Sequence, residues 1–161
     1  MAGEFWQRPS GCVVLTVRRR WGMMDRMGFE LTKQIERHLI GDQIAWLTTV
    51  TPSGRPAPRP VWFVWDGEAI TIYSLNSGVK QRHIAVNDKV SVHFDAGPGG
   101  SDIVVISGRA ELVPGAPPPS RFPGLLDKYL PAIEAMGYSA QWYDDEYGVA
   151  LRVIPERAWT I

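Results

Sequence analysis

The segment SLNSGVKQRH, Ser74–His83, groups hydroxyl, glycine and basic side chains directly after a short apolar run. We predict that a helix begins here with Ser77 as its N-cap, and a helix start presents free backbone N–H groups to anions. Lys80 adds a point charge and Arg82 a forked guanidinium, both suited to phosphate oxygens, and the hydroxyl of Ser74 can donate to another oxygen. A solvated helix face has the same composition, and these residues alone favour that plainer interpretation.

The segment RPAPRPVWFVWDG carries prolines at alternate positions 56, 58 and 60. Because proline has no N–H, this stretch is predicted to be incompletely paired in a sheet. Val61, Trp62 and Phe63 follow, and their backbone N–H groups can bind a flat ring with carbonyl acceptors along one edge. Arg59 would lie near that ring or its tail. An edge strand that prolines protect from aggregation explains the pattern equally well.

Other polar residues carry weaker signals. His93 and Asp95 are two apart on a predicted strand and share a face, but two residues do not make a metal site. The acidic residues 144–146 are predicted to form a solvated loop. No metal site is expected.

Composition limits the classes of function. The chain has 161 residues with 17 acidic and 17 basic side chains, so its net charge favours neither nucleic acid nor an anionic membrane as partner. Cys12 is the only cysteine, and we expect a cytoplasmic protein with no disulfide. The apolar run over residues 12–17 is too short to span a membrane. Basic residues follow this run, whereas in an export signal they precede the apolar segment. We predict one domain over 29–161, preceded by an extension over 1–28.

The periodicity of the chain predicts mainly β structure with peripheral helices, an α+β fold. A helix is predicted over Phe29–Ile40 and ends at Gly41, and a second long helix follows a proline-rich loop, with a break or kink at Pro131. Tight turns join most of the strands, so closure into a small antiparallel barrel removes the open edges. The six predicted strands cover about 43–51, 60–65, 68–74, 89–95, 102–113 and 148–161, with a short helix after the third.

In their order and spacing, these features resemble the pyridoxamine 5′-phosphate oxidase-like family, and within it the F420-dependent branch of actinobacterial flavin and deazaflavin oxidoreductases. The resemblance runs from Phe29 to the C-terminus and rests on AWLTTVTPSGRPAPRPVWFVWDGEAITIYS followed by KQRHIAVNDKVSVHFD. It implies a six-stranded antiparallel split β-barrel and a homodimer with the cofactor in a groove between subunits. The cofactor ring would lie against the second strand and its phosphate at the lysine-bearing helix.

The resemblance also implies which residues hold the cofactor. Those near the ring act mainly through the backbone, and basic residues hold the phosphate and the extra glutamates of an F420 tail. His83 stands where relatives more often have asparagine. Trp142 and Tyr143 would close over the ring from the partner subunit, or else pack in the core or a dimer contact. The implied cofactor-binding residues are Arg55, Arg59, Val61, Trp62, Phe63, Tyr73, Ser74, Lys80, Gln81, Arg82 and His83.

The implied activity is hydride transfer between reduced F420 and a small organic acceptor. No catalytic side chain is assigned, because the cofactor carries the reactivity, and Tyr73, His83 or water would protonate the product. An FMN-dependent oxidase or reductase and a non-catalytic flavin or deazaflavin carrier remain open. Oxidation of pyridoxamine phosphate itself is disfavoured, since Arg157 and Trp159 do not match the order of the family's second phosphate site.

Overall fold

A computed structural model describes residues 28–161 of the chain, so residues 1–27 of the predicted extension lie outside the described part. Among residues 28–161, no helix is long and apolar enough to cross a membrane. The helices are α1 (Lys33–Gly41), α2 (Lys80–Val86), α3 (Leu125–Ala135) and α4 (Ala140–Glu146). The strands are β1 (Ala45–Val50), β2 (Pro56–Val61), β3 (Val64–Trp65), β4 (Ile70–Ser74), β5 (Lys89–His93), β6 (Val104–Leu112) and β7 (Val149–Thr160).

The fold is mainly β, as predicted, and all seven strands form one sheet in the order β2-β1-β5-β6-β7-β4-β3. Every neighbouring pair is antiparallel. Strands β2 and β3 are the two edges, and β2 pairs with β1 alone, which confirms the predicted edge position of the prolines.

The predicted number of six strands is wrong by one. The segment read as a single strand over 60–65 contributes to two strands, and the first of them begins earlier, at Pro56. The chain leaves β2 after Val61 and enters β3 at Val64. At the break, the backbone N–H of Phe63 donates to the hydroxyl of Tyr129 at 2.9 Å instead of to another strand.

The helices correct three further predictions. Helix α1 begins at Lys33 rather than Phe29, because Thr32 accepts a hydrogen bond from the N–H of Ile35 and caps it. Pro131 lies inside α3 without ending it. The acidic residues 144–146 belong to α4, not to a loop, and Ser139 caps that helix by accepting from the N–H of Trp142 at 3.1 Å.

Two apolar clusters hold these elements together. The larger joins α1 to the sheet through residues such as Ile35, Leu39 and Leu47. The second packs α3 and α4 against β3, β4 and β7. The buried residues of the second cluster are Val64, Tyr73, Leu125, Tyr129, Ile133, Tyr143 and Ala150.

Candidate cofactor site

The segment between β4 and α2 has a different geometry from the one predicted. Helix α2 has seven residues, follows Val79 and has no side-chain cap, so the assignment of Ser77 as N-cap is wrong. A tight turn precedes it, in which the N–H of Gly78 donates to the carbonyl of Leu75 at 2.9 Å. A Cβ at Gly78 would lie 2.8 Å from Oγ of Ser74, so this close approach requires glycine.

Lys80 and Arg59 form a pair of cations without an acidic partner. Nζ of Lys80 is half-buried and donates to Oγ of Ser74 at 3.5 Å. Burial lowers the pKa of Lys80, and the positive charge of Arg59 lowers it further. Within residues 28–161, neither side chain makes an ion pair, and the guanidinium of Arg59 donates only to the carbonyl of Pro58 at 2.8 Å. A bound anion would relieve this repulsion.

These cations lie beside a pocket of about 460 Å³ with mainly aromatic walls. The break between β2 and β3 forms one wall, β4 and the start of α2 the second, and the α3–α4 region the third. The lining residues are Ile44, Pro60, Val61 and Trp62 on the first wall, Tyr73, Leu75 and Lys80 on the second, and Met136, Tyr138, Trp142, Tyr143 and Tyr147 on the third.

Stacked rings connect the walls of this pocket. Trp62 stacks on Tyr129 with ring centroids 4.6 Å apart and lies 5.6 Å from Tyr143. On the third wall, Tyr143 stacks on Tyr147 at 4.6 Å. Tyr143 is only 3% exposed, so it packs in the core of its own chain, as one of the predicted alternatives proposed. Rigid aromatic walls of this kind suit a flat ring.

Two tyrosine hydroxyls in the pocket differ in their hydrogen bonding. Tyr73 donates to the carbonyl of Pro117 at 2.7 Å, and burial, aided by the charge of Asp144, raises its pKa to about 12. Burial also raises the pKa of Tyr143, and its hydroxyl makes no hydrogen bond to any residue in 28–161. Tyr143 therefore remains protonated at neutral pH and has an O–H free to donate.

Several predicted site residues lie elsewhere. Phe63 is 1% exposed in the larger core cluster, its N–H donates to Tyr129, and it does not line the pocket. His83 faces β1, where Nδ1 lies 2.9 Å from the hydroxyl of Thr49. Arg82 is exposed on α2 and does not line the pocket.

Two other predicted residues, Gln81 and Arg55, lie outside the lining of the pocket. Gln81 donates from Nε2 to the carbonyl of Leu75 at 2.7 Å, while its Oε1 is buried and accepts no hydrogen bond. Arg55 lies in the turn before β2, about 16 Å along the strand from Pro60 by the usual rise of an extended chain. It is exposed and could reach only the far end of a long ligand.

His93, Asp95 and Asp144, which carried weaker signals in the sequence, contact residues outside the pocket. The ring of His93 stacks on Trp46 at 6.2 Å, and Asp95 accepts a hydrogen bond from the indole of the same tryptophan at 3.1 Å. Asp144 accepts from the N–H and the hydroxyl of Ser120, at 2.7 and 2.6 Å. In the described range 28–161, no three His, Cys, Asp or Glu side chains are grouped as metal ligands.

Sequence reasoning missed the third wall of the pocket apart from Trp142 and Tyr143. The signal was present, because Tyr138, Trp142, Tyr143 and Tyr147 are spaced by four, one and four residues. Such spacing places aromatic side chains on one face of a helix. Reading the acidic residues between them as a solvated loop hid the pattern.

The family model described as pyridoxamine 5′-phosphate oxidase matches residues 31–161. The chain belongs to this family. The match covers all elements from the start of α1 to the end of β7, and the predicted recognition of the family is confirmed. A search of curated proteins found no match to the sequence.

Solved structures share the fold of this pyridoxamine 5′-phosphate oxidase family member. An F420 reductase is 22% identical over 76% of this chain and 94% of its own, with a TM-score of 0.55. A FAD-binding protein from Mesorhizobium loti is 19% identical over 82% and 93%, with a TM-score of 0.55. The heme storage protein HutZ from Vibrio cholerae is 17% identical over 82% and 95%, also with a TM-score of 0.55. Similar folds thus serve different ligands, and the residues of the site must distinguish them.

Proposed function

We propose that this protein is an F420-dependent oxidoreductase that transfers a hydride between reduced F420 and a small organic acceptor. The observation that carries the proposal is the pairing of Lys80 with Arg59 beside an aromatic pocket, with no carboxylate partner for either in the described part of the chain. Electrostatic repulsion between the two positive charges is unfavourable, and a phosphate bound between them replaces this repulsion with attraction to both.

The remaining polar groups fit the same ligand. Oε1 of Gln81 is buried without a donor, and the hydroxyl chain that joins a flavin or deazaflavin ring to its phosphate can supply one. The hydroxyl of Ser74 lies next to Lys80 and can donate to a phosphate oxygen. The pocket therefore offers an aromatic compartment for the ring and a cationic end for the phosphate.

The positive charges along β2 favour F420 over FMN. Arg59 lies on the edge strand β2 and Arg55 in the turn before it, and both are exposed without an ion pair in residues 28–161. A single phosphate needs one cluster of cations, whereas a tail that continues into several carboxylates can use a row of them. Arg82, exposed on α2, is available to the same tail.

The protein's part in the reaction is to bind, orient and exclude water. When bound, reduced F420 supplies a hydride, so no nucleophile or metal is required of the chain. Trp62 and the aromatic third wall line the pocket, so a flat group bound there would pack against their surface and lose contact with bulk water. We assign the hydroxyl of Tyr143 as proton donor to the product, because it is protonated and unpaired, whereas the hydroxyl of Tyr73 and the imidazole of His83 are engaged in hydrogen bonds.

Two copies of the chain complete the proposed site. Within residues 28–161 the outer side of β2 has no strand partner, and Pro60 and Val61 of that strand line the pocket. We propose a homodimer in which the partner covers this edge and closes the groove over the cofactor. The proposed setting is the cytoplasm, where a small organic acceptor is reduced.

The alternatives are an FMN-dependent enzyme and a carrier that binds the cofactor without turnover. Both use the same cations, so only binding preference and activity separate them. The first experiment titrates ligand-stripped protein with F420 and, separately, with FMN, and follows fluorescence. We expect tight F420 binding and weak FMN binding.

The other outcomes are equally informative. A preference for FMN would make the protein a flavoprotein, and binding of neither would overturn the proposal. Tight F420 binding without turnover of any acceptor, tested with reduced F420 and a panel of enones, quinones and nitro compounds, would identify a carrier. With an acceptor that the protein reduces, Tyr143→Phe should retain F420 affinity while lowering kcat, because its hydroxyl is the proposed proton donor.

A further inference from the structure

A buried histidine lies between two carboxylates at the place where α1 packs against β6. Nδ1 of His38 is 2.7 Å from the carboxylate of Asp42, the residue that follows α1. On the other side of the ring, Nε2 is 3.2 Å from the carboxylate of Asp102. Asp102 belongs to the β5–β6 loop, residues 94–103. None of these three residues lines the aromatic pocket, and the proposed function does not use them.

The protonation state of His38 decides whether both contacts are favourable. A neutral imidazole has one N–H and one lone pair, whereas an imidazolium has an N–H on each nitrogen. Since both nitrogens face carboxylate oxygens, only the charged ring presents a proton to each of them. In a neutral ring the proton stays on Nδ1, whose contact is shorter, and the lone pair of Nε2 faces the negative charge of Asp102. Nε2 is buried and the ring stacks on Phe94 at 5.2 Å, so water cannot separate the two groups without movement of the chain.

The other charged groups near His38 act on its two carboxylates. Arg37 makes an ion pair with Asp102, but the arginine side chain is exposed, so solvent screens its charge. Lys128 of α3 interacts with the charge of Asp42. Strand β3, which also packs against α1, contributes no titratable side chain. Burial lowers the pKa of His38, but the hydrogen bond to Asp42 and the charges of both carboxylates outweigh burial and raise the pKa above 6.5.

Asp102 is the point at which the β5–β6 loop is attached to α1. Its side chain accepts from Gln34 at 3.0 Å and contacts Arg37 and His38. Its φ of 62° lies in the left-handed region, which is unfavourable for most residues other than glycine, so the side-chain contacts help to hold the backbone there. Gln34 also donates to the carbonyl of Ile161, just after β7, at 3.0 Å. Of these groups, only the imidazole of His38 titrates near neutral pH.

We propose that His38 is a pH-sensitive switch that holds the β5–β6 loop against α1 while its ring is charged and releases the loop when the ring loses a proton. The proton leaves Nε2 for water, and Nδ1 keeps its hydrogen bond to Asp42. The lone pair of Nε2 then repels Asp102, which keeps only its contacts with Gln34 and Arg37. Because the folded pKa is raised, the contact is complete below pH 6.5 and is lost as the pH rises through the folded value.

Nuclear magnetic resonance of the isotope-labelled full-length protein tests the switch. The nitrogen shifts of the imidazole give the pKa and the tautomer of His38. Hydrogen exchange reports on the loop at the amides of Ile103 and Ile161, which donate to each other's carbonyls at 3.2 and 3.1 Å. Each exchange rate is divided by that of an unstructured peptide at the same pH. We expect the protection of both amides to fall by about 5-fold between pH 5.5 and pH 8.5, as for a partly exposed ion pair, with its midpoint at the pKa of His38. The amide of Tyr147 in the α4 region, bound to the carbonyl of Tyr143, is the reference and should not change.

Three variants separate His38 from other causes of a pH effect. Asp102→Asn keeps the size of the side chain and tolerates the left-handed backbone, and its amide can donate to a neutral ring. The pH dependence of protection at Ile103 should therefore disappear. Asp42→Asn should lower the pKa of His38 and move the midpoint to lower pH. Lys128→Met removes another group near Asp42 that titrates in this range, and it should retain the transition.

Protection at Ile103 and Ile161 that stays constant while His38 titrates would overturn the proposal. So would a transition that persists in Asp102→Asn, or one whose midpoint differs from the pKa of His38. The tautomer gives an independent check, because the neutral ring should carry its proton on Nδ1. A proton on Nε2 would mean that Asp42, and not Asp102, loses its contact, which contradicts release of the loop.

Discussion

Lys80 and Lys128 are both half-buried lysines with a lowered pKa, but their surroundings differ. Lys80 has a second cation, Arg59, nearby and a hydroxyl within reach. Nζ of Lys128 lies 3.9 Å from the centre of the Phe63 ring and donates to the carbonyl of Phe63. The comparison shows that a lowered pKa does not by itself define a role. Lys80 has a second cation nearby and can bind an anion, whereas an aromatic ring and a carbonyl already hold the ammonium group of Lys128.

Tyr129 connects the aromatic pocket to the surroundings of Lys128. Tyr129 stacks on Trp62 in the aromatic pocket, and its hydroxyl binds the backbone of Phe63, whose ring lies under Lys128. The break between β2 and β3 is therefore the structural origin of both. A single hydroxyl holds the chain where it leaves the sheet.

The largest effect is expected from Lys80→Ala on cofactor affinity. Loss of a charge-assisted hydrogen bond should weaken F420 binding by about 1 to 3 kcal/mol, or about 5- to 150-fold in Kd. Arg59→Ala should act on the same phosphate, so the two losses should not add. Fluorescence titration measures both, with the exposed Lys89→Ala as the matched control. Equal affinities for Lys80→Ala and Lys89→Ala would mean that Lys80 binds no anion.

Removal of the shared hydroxyl should affect stability. Tyr129→Phe leaves the N–H of Phe63 without an acceptor, and the carbonyls of Phe63 and Gln43 lose a donor. The free energy of unfolding should fall by about 1 to 3 kcal/mol, measured by urea denaturation. Tyr138→Phe is the control, because that ring is exposed. If both variants unfold at the same urea concentration, the hydroxyl does not hold the strand break.

Lys128→Met should reveal the cost of the dehydrated amine. The folded pKa of about 8 is below the unfolded value of 10.5, so the unfolded state binds more protons between these values. The stability of the wild type relative to Lys128→Met should therefore be constant below pH 8 and rise toward pH 10.5. Because the amine is half exposed, solvent screening reduces the gain to about 1 kcal/mol. Urea unfolding at each pH measures it, and a flat difference would contradict the lowered pKa.

The smallest effect is expected at His38 in helix α1, whose residues Leu39 and Ile40 line a groove together with Lys128. Burial lowers its pKa, but the hydrogen bond to Asp42 and the charge of Asp102 outweigh burial and raise the pKa above 6.5. Nδ1 is 2.7 Å from the Asp42 carboxylate, whereas Nε2 makes an ion-pair contact with Asp102 at 3.2 Å rather than a well-directed hydrogen bond. This places the charged imidazolium between two carboxylates.

A raised pKa means that the stabilisation by His38 is complete below pH 6.5 and is lost as the pH rises through the folded value. His38→Gln should lower the free energy of unfolding by about 0.5 to 1 kcal/mol at pH 6, with the difference vanishing at higher pH. His93→Gln, on the sheet, is the control. F420 affinity should not change in His38→Gln, because α1 does not line the aromatic pocket. A change in affinity would show that the two sites are coupled.

The order of the elements could be predicted from local pattern. Alternating apolar residues identified the strands, and the prolines of β2 marked an edge strand, because their missing N–H groups exclude a central position. In β6 the register shifts between Ser107 and Gly108. A Cβ at Gly108 would collide with the carbonyl of Ile154. Features that depend on the backbone chemistry of proline and glycine can be predicted from the sequence.

The candidate site could be predicted only in part. Ser74, Lys80 and Gln81 lie close together in the sequence and remain so in the fold. Arg59 precedes Lys80 by 21 positions and comes near it only because the chain reverses through β3 and β4. Local sequence could not show that the N–H of Phe63 donates to the hydroxyl of Tyr129, 66 residues away.

The sequence by itself determined the family, the mainly β fold and the cationic segment before α2, because these depend on periodicity and on neighbouring residues. Only the tertiary structure decided which cations lack an anion, which rings cover them and which lysine lies over Phe63. Dehydration and charge repulsion act through space between segments distant in the chain. The pKa of a lysine is therefore set by the packing around it and not by its neighbours in sequence.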